Sequence, residues 1–166
     1  MKNKLYLDGW FDMWCLEGRR IVWREKFANG IVNTALNDIL AVYLGGGAQK
    51  INWYLGLIDH AGFTSLAPGD TMSVHPGWLQ LTAYNEPARP QWHPSAVVNQ
   101  VITNASVINF TINAVCSIKG AFIVSDPTKG GSSGQLWSSG VFPTPQQMNN
   151  PPQTLSLSYS LAAGGS

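Results

Sequence analysis

The stretch Thr154-Leu-Ser-Leu-Ser-Tyr-Ser-Leu161 alternates polar and apolar side chains without a break. Successive side chains of a strand point to opposite faces, so this period-two run is a β-strand with one dry face and one hydroxyl-lined face. The same alternation recurs in short pieces toward the N-terminus. Residues 114–124 alternate, and 97–103 and 107–112 are β-branched runs separated by Asn104-Ala-Ser106. Residues 78–84 alternate again, and 52–59 form a near-continuous apolar run, the mark of a strand buried on both faces. Trp137 and Val141-Phe142 add a short apolar run, and 143–152 read as a Pro/Gln/Asn connector. Arg89-Pro-Gln-Trp-His-Pro94 cannot be a central strand, because proline has no N–H to donate. Residues 67–78 are irregular, with Asp70 placed to cap one helical turn through Met72. Gly130-Gly-Ser-Ser-Gly134 is a flexible loop. Many short strands with Gly/Pro turns predict a mainly β chain, an antiparallel β-sandwich of jelly-roll-like or immunoglobulin-like type.

One helix is expected, over 33–44. Leu36, Ile39, Leu40, Tyr43 and Leu44 recur at helical spacing, Asn33 or Thr34 can cap its start, and Gly45-Gly-Gly47 ends it. A helix this short must pack on something to persist.

Charge is distributed unevenly. Nineteen residues are charged; 11 of them lie in the first 40 positions and 8 in the remaining 126. The first 40 residues hold six bases and five acids, the rest four of each, so neither part has the basic excess that phosphate neutralisation demands, and no nucleic-acid partner is expected. No apolar run is long enough to span a bilayer and no secretory leader is visible, so no membrane association is expected. That context favours two reduced thiols at Cys15 and Cys116, with a disulfide left open.

Residues 1–30 read as an extended arm or hairpin beside a sandwich domain at 31–166, turning at Glu17-Gly18. In the second half Ile21, Trp23 and Phe27 share one face, and Arg24 and Lys26 the other. An isolated hairpin is marginal, so its large aromatics must pack on the sandwich or on another chain. Trp10, Phe11, Trp14, Arg19, Arg20, Trp23 and Arg24 are therefore the candidate partner-binding residues, being of the types that anchor interfaces.

Catalytic signals are weak. Asp59-His60, His75 and His93 are the groups with metal-ligating chemistry, but no two of the histidines have helical or tight strand spacing. Residues 131–134 are not a nucleophile elbow, Cys116 sits within an apolar run, and the glycine triplet follows a helix where a phosphate loop would precede one. No catalytic residues, cofactor or metal are expected. Trp53 is expected in the core. Trp78, Trp92 and His93 flank the proline-rich loop and form the alternative candidate, a glycan-stacking site.

Residues 29–40 (Asn-Gly-Ile-Val-Asn-Thr-Ala-Leu-Asn-Asp-Ile-Leu), 53–59, 69–78, 84–90 and 125–137 together resemble a family of small structural proteins of tailed bacteriophages and prophages. The resemblance runs in order from about residue 15 to 161. It implies a virion protein assembled in the bacterial cytoplasm and carries no catalytic residue. Its place in the particle follows from physics: a compact sandwich with a charged, Trp-rich arm suits a capsid cement or decoration protein bound to the major capsid protein. Low charge elsewhere suits a homo-oligomer, a trimer or a dimer. The alternative is a tail or tail-fibre-associated receptor- or glycan-binding module.

Overall fold

The computed structural model describes residues 5–165; positions 1–4 of the expected arm and the final Ser166 lie outside it. Eleven strands and one helix follow in chain order: β1 (Leu5–Glu17), β2 (Arg20–Ala28), β3 (Gly30–Ile31), α1 (Asn33–Tyr43), β4 (Trp53–Asp59), β5 (Leu79–Leu81), β6 (Gln91–Trp92), β7 (Val101–Thr103), β8 (Ile108–Ile112), β9 (Cys116–Val124), β10 (Leu136–Met148) and β11 (Gln153–Gly165). They build two antiparallel sheets. The first runs β2-β1-β11-β7, with β8 also on β11; the second runs β3-β10-β9-β4-β5, with β6 on β4. The chain is a β-sandwich, as the alternation predicted.

The period-two strand at 154–161 is the centre of the first sheet. Its apolar Leu155, Leu157 and Tyr159 face inward with Phe11 and Met13 of β1 and Phe110 of β8. Leu55 and Leu57 of β4 and Ala121 and Ile123 of β9 oppose them from the second sheet. The second sheet has an apolar outer face as well: Ile58, Phe122 and Val124 are covered by Val32, Ala35, Met72 and Trp78. That second cover is why 53–59 reads as a continuous apolar run. Gly56 belongs to this design, since a Cβ there would lie inside the Phe122 ring, 2.1 Å from its nearest atom.

The structure corrects the N-terminal arm. The hairpin exists, turning through Gly18 at φ +61°, but it does not stand apart. β1 pairs with β11 from Leu5 opposite Gly165 to Leu16 opposite Thr154. Its odd-numbered Phe11, Met13 and Cys15 are fully buried. A period-two strand with one dry face has two edges to satisfy, and β11 gives one of them to β1. Residues 5–30 are thus no separate unit: β1 is an interior strand of the first sheet.

Other corrections are local. Residues 143–148 are not a connector but the second half of β10, which loses register between Val141 and Gln146. Pro143 and Pro145 fall in that break, where no ladder bond is required, and the Lys119 ammonium donates to the Phe142 and Pro143 carbonyls there (2.7 and 3.2 Å). Residues 97–103 are not one strand: Asn99 and Gln100 take positive φ (49° and 59°) and turn the chain back on Val98, leaving only Val101–Thr103 as β7. The expected cap at Asp70 is instead a staple. Its Oδ2 accepts from Ala67 N and from the Trp78 indole, both at 3.0 Å.

Helix α1 forms where its pattern places it, and Gly45 N and Gly47 N close it on the Ala41 carbonyl. Its N-cap is Val32, with no side-chain cap. Asn33 N donates to the Pro68 carbonyl, and Thr34 Oγ1 accepts from Gln135. The apolar stripe does not pack on the body as expected: Ala35 is the one fully buried residue of the helix.

Candidate partner-binding face

The pleat divides the seven N-terminal candidates. Trp10 and Trp14 lie on the even-numbered, outer face of β1, with Asp12 between them. Across the hairpin, Asp12 is opposite Lys26 and Trp14 opposite Arg24. The side chains then lock diagonally. Arg24 donates Nε to Asp12 Oδ1 (2.9 Å) and a terminal N–H to Oδ2 (2.6 Å), a two-pronged ion pair. The same guanidinium sits 5.1 Å from the centre of the Trp14 ring, and Lys26 Nζ lies 4.5 Å from that of Trp10. Asp12 also pushes the Arg24 pKa above its ordinary value, by hydrogen bond and by charge.

The face continues onto β11 as a hydroxyl ladder. Ser160, opposite Trp10, donates to Thr103 Oγ1 (2.8 Å), and Ser156, opposite Trp14, donates to Asn109 Oδ1 (2.7 Å). The outer surface of this sheet therefore passes from cation-capped indoles to small neutral hydroxyls.

The remaining candidates lie elsewhere. Phe11 points into the core against Phe27 and Tyr159, with ring centres 5.4 and 5.0 Å away. Trp23 also turns inward, edge-on to Phe142 at 5.8 Å. Ile21, expected on the same face as Trp23, is exposed, because a bulge at Cys15/Leu16 shifts the register. Arg19 and Arg20 mark the hairpin tip, where Arg20 pairs with Glu17 at 3.3 Å. Hydrogen bonds from Asn150 first, then Arg20 and Gln153, hold the Glu17 carboxyl below its usual range and tie the tip to the β10–β11 turn. Asp12 was missed as a member of the face, and Lys26, though read on the same face as Arg24, was not among the candidates. Their signal was the even spacing of Trp10, Asp12 and Trp14 set against Arg24 and Lys26.

The alternative glycan site does not assemble. Trp78 is 1% exposed, its indole bonded to Asp70 and stacked on His75 at 3.8 Å. Trp92 is 7% exposed and packs edge-on to Tyr159. His93 alone of the three reaches solvent.

Among the described residues no three His, Cys, Asp or Glu side chains converge. Asp59 closes a turn by accepting from Ala61 N (2.9 Å). Cys15 and Cys116 are unpaired thiols, and burial pushes both up to about 11, with Glu17 and Asp59 adding to the effect. Arg89, which drew no attention in the sequence, is a buried clamp. It donates to Gln80 Oε1 and Gly131 O (2.6 Å each) and to Asp126 O (2.8 Å), joining its own loop to β5 and to the β9–β10 loop; burial lowers its pKa. Among the described residues no helix is long and apolar enough to cross a membrane. No protein-family model and no curated protein matches the chain.

Proposed function

We propose that the chain is a non-enzymatic structural protein of a tailed-phage virion, a capsid cement or decoration protein that grips the major capsid protein through the outer face of β1 and β2. The observation that carries this reading is the Trp10–Asp12–Trp14 row capped by Lys26 and Arg24. Trp and Arg supply most binding energy at protein interfaces, and here both stand on strands, pre-ordered by an ion pair. The resemblance of its sequence motifs to tailed-phage structural proteins supports the choice of particle. The low charge of the other surfaces leaves this face as the place where charge complementarity can select a partner.

A Trp10→Ala/Trp14→Ala variant tests it. Both rings lie outside the core, so the fold should survive, checked by far-UV circular dichroism. Co-sedimentation with purified capsids of the encoding phage should show binding at least ~30-fold weaker, the loss of one strong interface anchor. Unchanged occupancy, or absence of the wild-type chain from the capsids, overturns the proposal.

A further inference from the structure

The start of β1 is built to pair with itself. β2 ends at Ala28 opposite Trp10, and the last bond on that side is Asn29 N to Gly9 O (3.1 Å). In an antiparallel strand the N–H and C=O of one residue point to the same side, and the side alternates along the chain. Leu5 and Leu7 therefore aim their backbone groups where Gly9 does, away from β11. Among the described residues no strand continues along that side. Such an edge is a template for another strand.

The surface beside it is apolar. Leu5 and Leu7 share the inward parity of Phe11, but only the short edge strand β3 of the second sheet comes near them, and neither is fully buried. Across from them stands the unpacked stripe of α1. Between the two lies an open groove of about 420 Å³, lined by Leu5, Leu7, Ile31, Leu36, Ile39 and Leu40, with no charged side chain. Leu5 is 71% exposed and Leu40 60%, and Tyr43 and Leu44 extend the patch along the helix. Exposed apolar side chains gathered along one groove, rather than scattered singly, mark a surface that gains from cover.

We infer that this edge and groove are a homodimer interface, with β1 of one copy pairing antiparallel to β1 of a second across a twofold axis at Tyr6. This register leaves the Gly9 carbonyl on Asn29 N. It sets Leu5 against Leu7 of the other copy as hydrogen-bonded pairs, using the groups that point outward. Opposed residues in an antiparallel pair share a face, so the second copy delivers two more leucines over the groove. A groove without charge selects an apolar occupant, and the second copy supplies one together with the strand. The first sheet then becomes continuous across both molecules.

Sedimentation equilibrium of the purified chain over the micromolar range tests this without any capsid, so its outcome does not depend on the capsid reading. Twice the chain mass is expected. Leu7→Pro removes only an outward N–H and leaves the β11 ladder intact, and it should weaken dimerisation about 100-fold or more. Tyr6→Cys sits at a non-hydrogen-bonded position opposite itself, at ~4.5 Å between Cα atoms, and should form an intermolecular disulfide on oxidation. A monomer at every concentration overturns the inference, whether the groove is filled by the chain's own first residues or by a shell protein. A trimer overturns it too, as does a dimer indifferent to Leu7→Pro. If Leu7→Pro fails to fold, the Tyr6→Cys cross-link decides alone, and its absence is fatal.

Discussion

Strand β1 and helix α1 each carry an apolar stripe, and the molecule treats them oppositely. β1 buries Phe11, Met13 and Cys15 completely. α1 buries Ala35 and leaves Leu36, Leu40, Tyr43 and Leu44 to solvent, Tyr43 at 87%. The difference lies in what stands opposite. β1 is held by β11 along its length, and from Phe11 to Cys15 it is faced by the second sheet, so that part of its stripe has a partner at every step. α1 is moored by Val32 and Ala35 on the second sheet, by Asn33 on Pro68 and by the Asp38–Lys50 ion pair, while its Leu36, Leu40 and Tyr43 stay exposed. An apolar stripe states that a face wants cover; topology decides whether the cover comes from the same chain.

The comparison breaks most readily at Phe11. Its ring is fully buried and tilted against two other rings. Phe11→Ala should cost about 3–5 kcal/mol in urea-induced unfolding, from lost transfer energy and the cavity left behind. A loss under ~1 kcal/mol would mean that β1 is a detachable arm after all.

A second test uses alkaline pH, which acts on the sandwich and spares the helix. The buried thiol of Cys15 keeps its proton to about 11, whereas in the unfolded chain it titrates near its ordinary 9.0. Above pH 9 the unfolded state loses the proton first and is favoured. The stability that this group contributes is thus complete below pH 9 and lost as pH rises through about 11. Cys116 adds a parallel loss. The urea midpoint should fall between pH 9 and 11, and fall less in Cys15→Val. An equal fall in both proteins would remove Cys15 from the buried set. Tyr84, pushed up to about 12 by burial, extends the loss to higher pH.

How far the sequence could be read follows from the same contrast. Local period was legible: the β11 alternation, the doubly covered β4, the Gly18 turn and the extent of α1 all came from neighbouring residues. Pairing was not. Nothing near Phe11 says that residue 159 will lie beside it, so the hairpin was read as an arm and the helix as packed, and each took the other's place. Asn99-Gln100 hid a tight turn because neither residue is glycine. The prolines at 143 and 145 hid a strand, because a bulge filled by Lys119 makes their missing N–H groups harmless. At the candidate face, Trp10, Trp14 and Arg24 were named for their type alone. Asp12 and Lys26 joined them only when cross-strand register put them in reach. Trp78 and Trp92 were placed by loop composition, whereas the cores on both sides of the second sheet claim them.

The smallest expected effect concerns α1. Leu40 is exposed in the single chain, so Leu40→Gln should change unfolding free energy by no more than ~0.5 kcal/mol, as for a surface substitution. The measurement belongs in the Leu7→Pro background, where self-association no longer adds to apparent stability. In the unmodified chain the same substitution removes a groove-lining leucine, so its cost should grow with protein concentration. The two backgrounds separate two meanings of the helical stripe. If Leu40→Gln costs ~2 kcal/mol or more in the monomeric background, the stripe is covered within one chain and α1 resembles β1. If the cost appears only as copies associate, the stripe waits for a neighbour, and the contrast between β1 and α1 is one between folding and assembly.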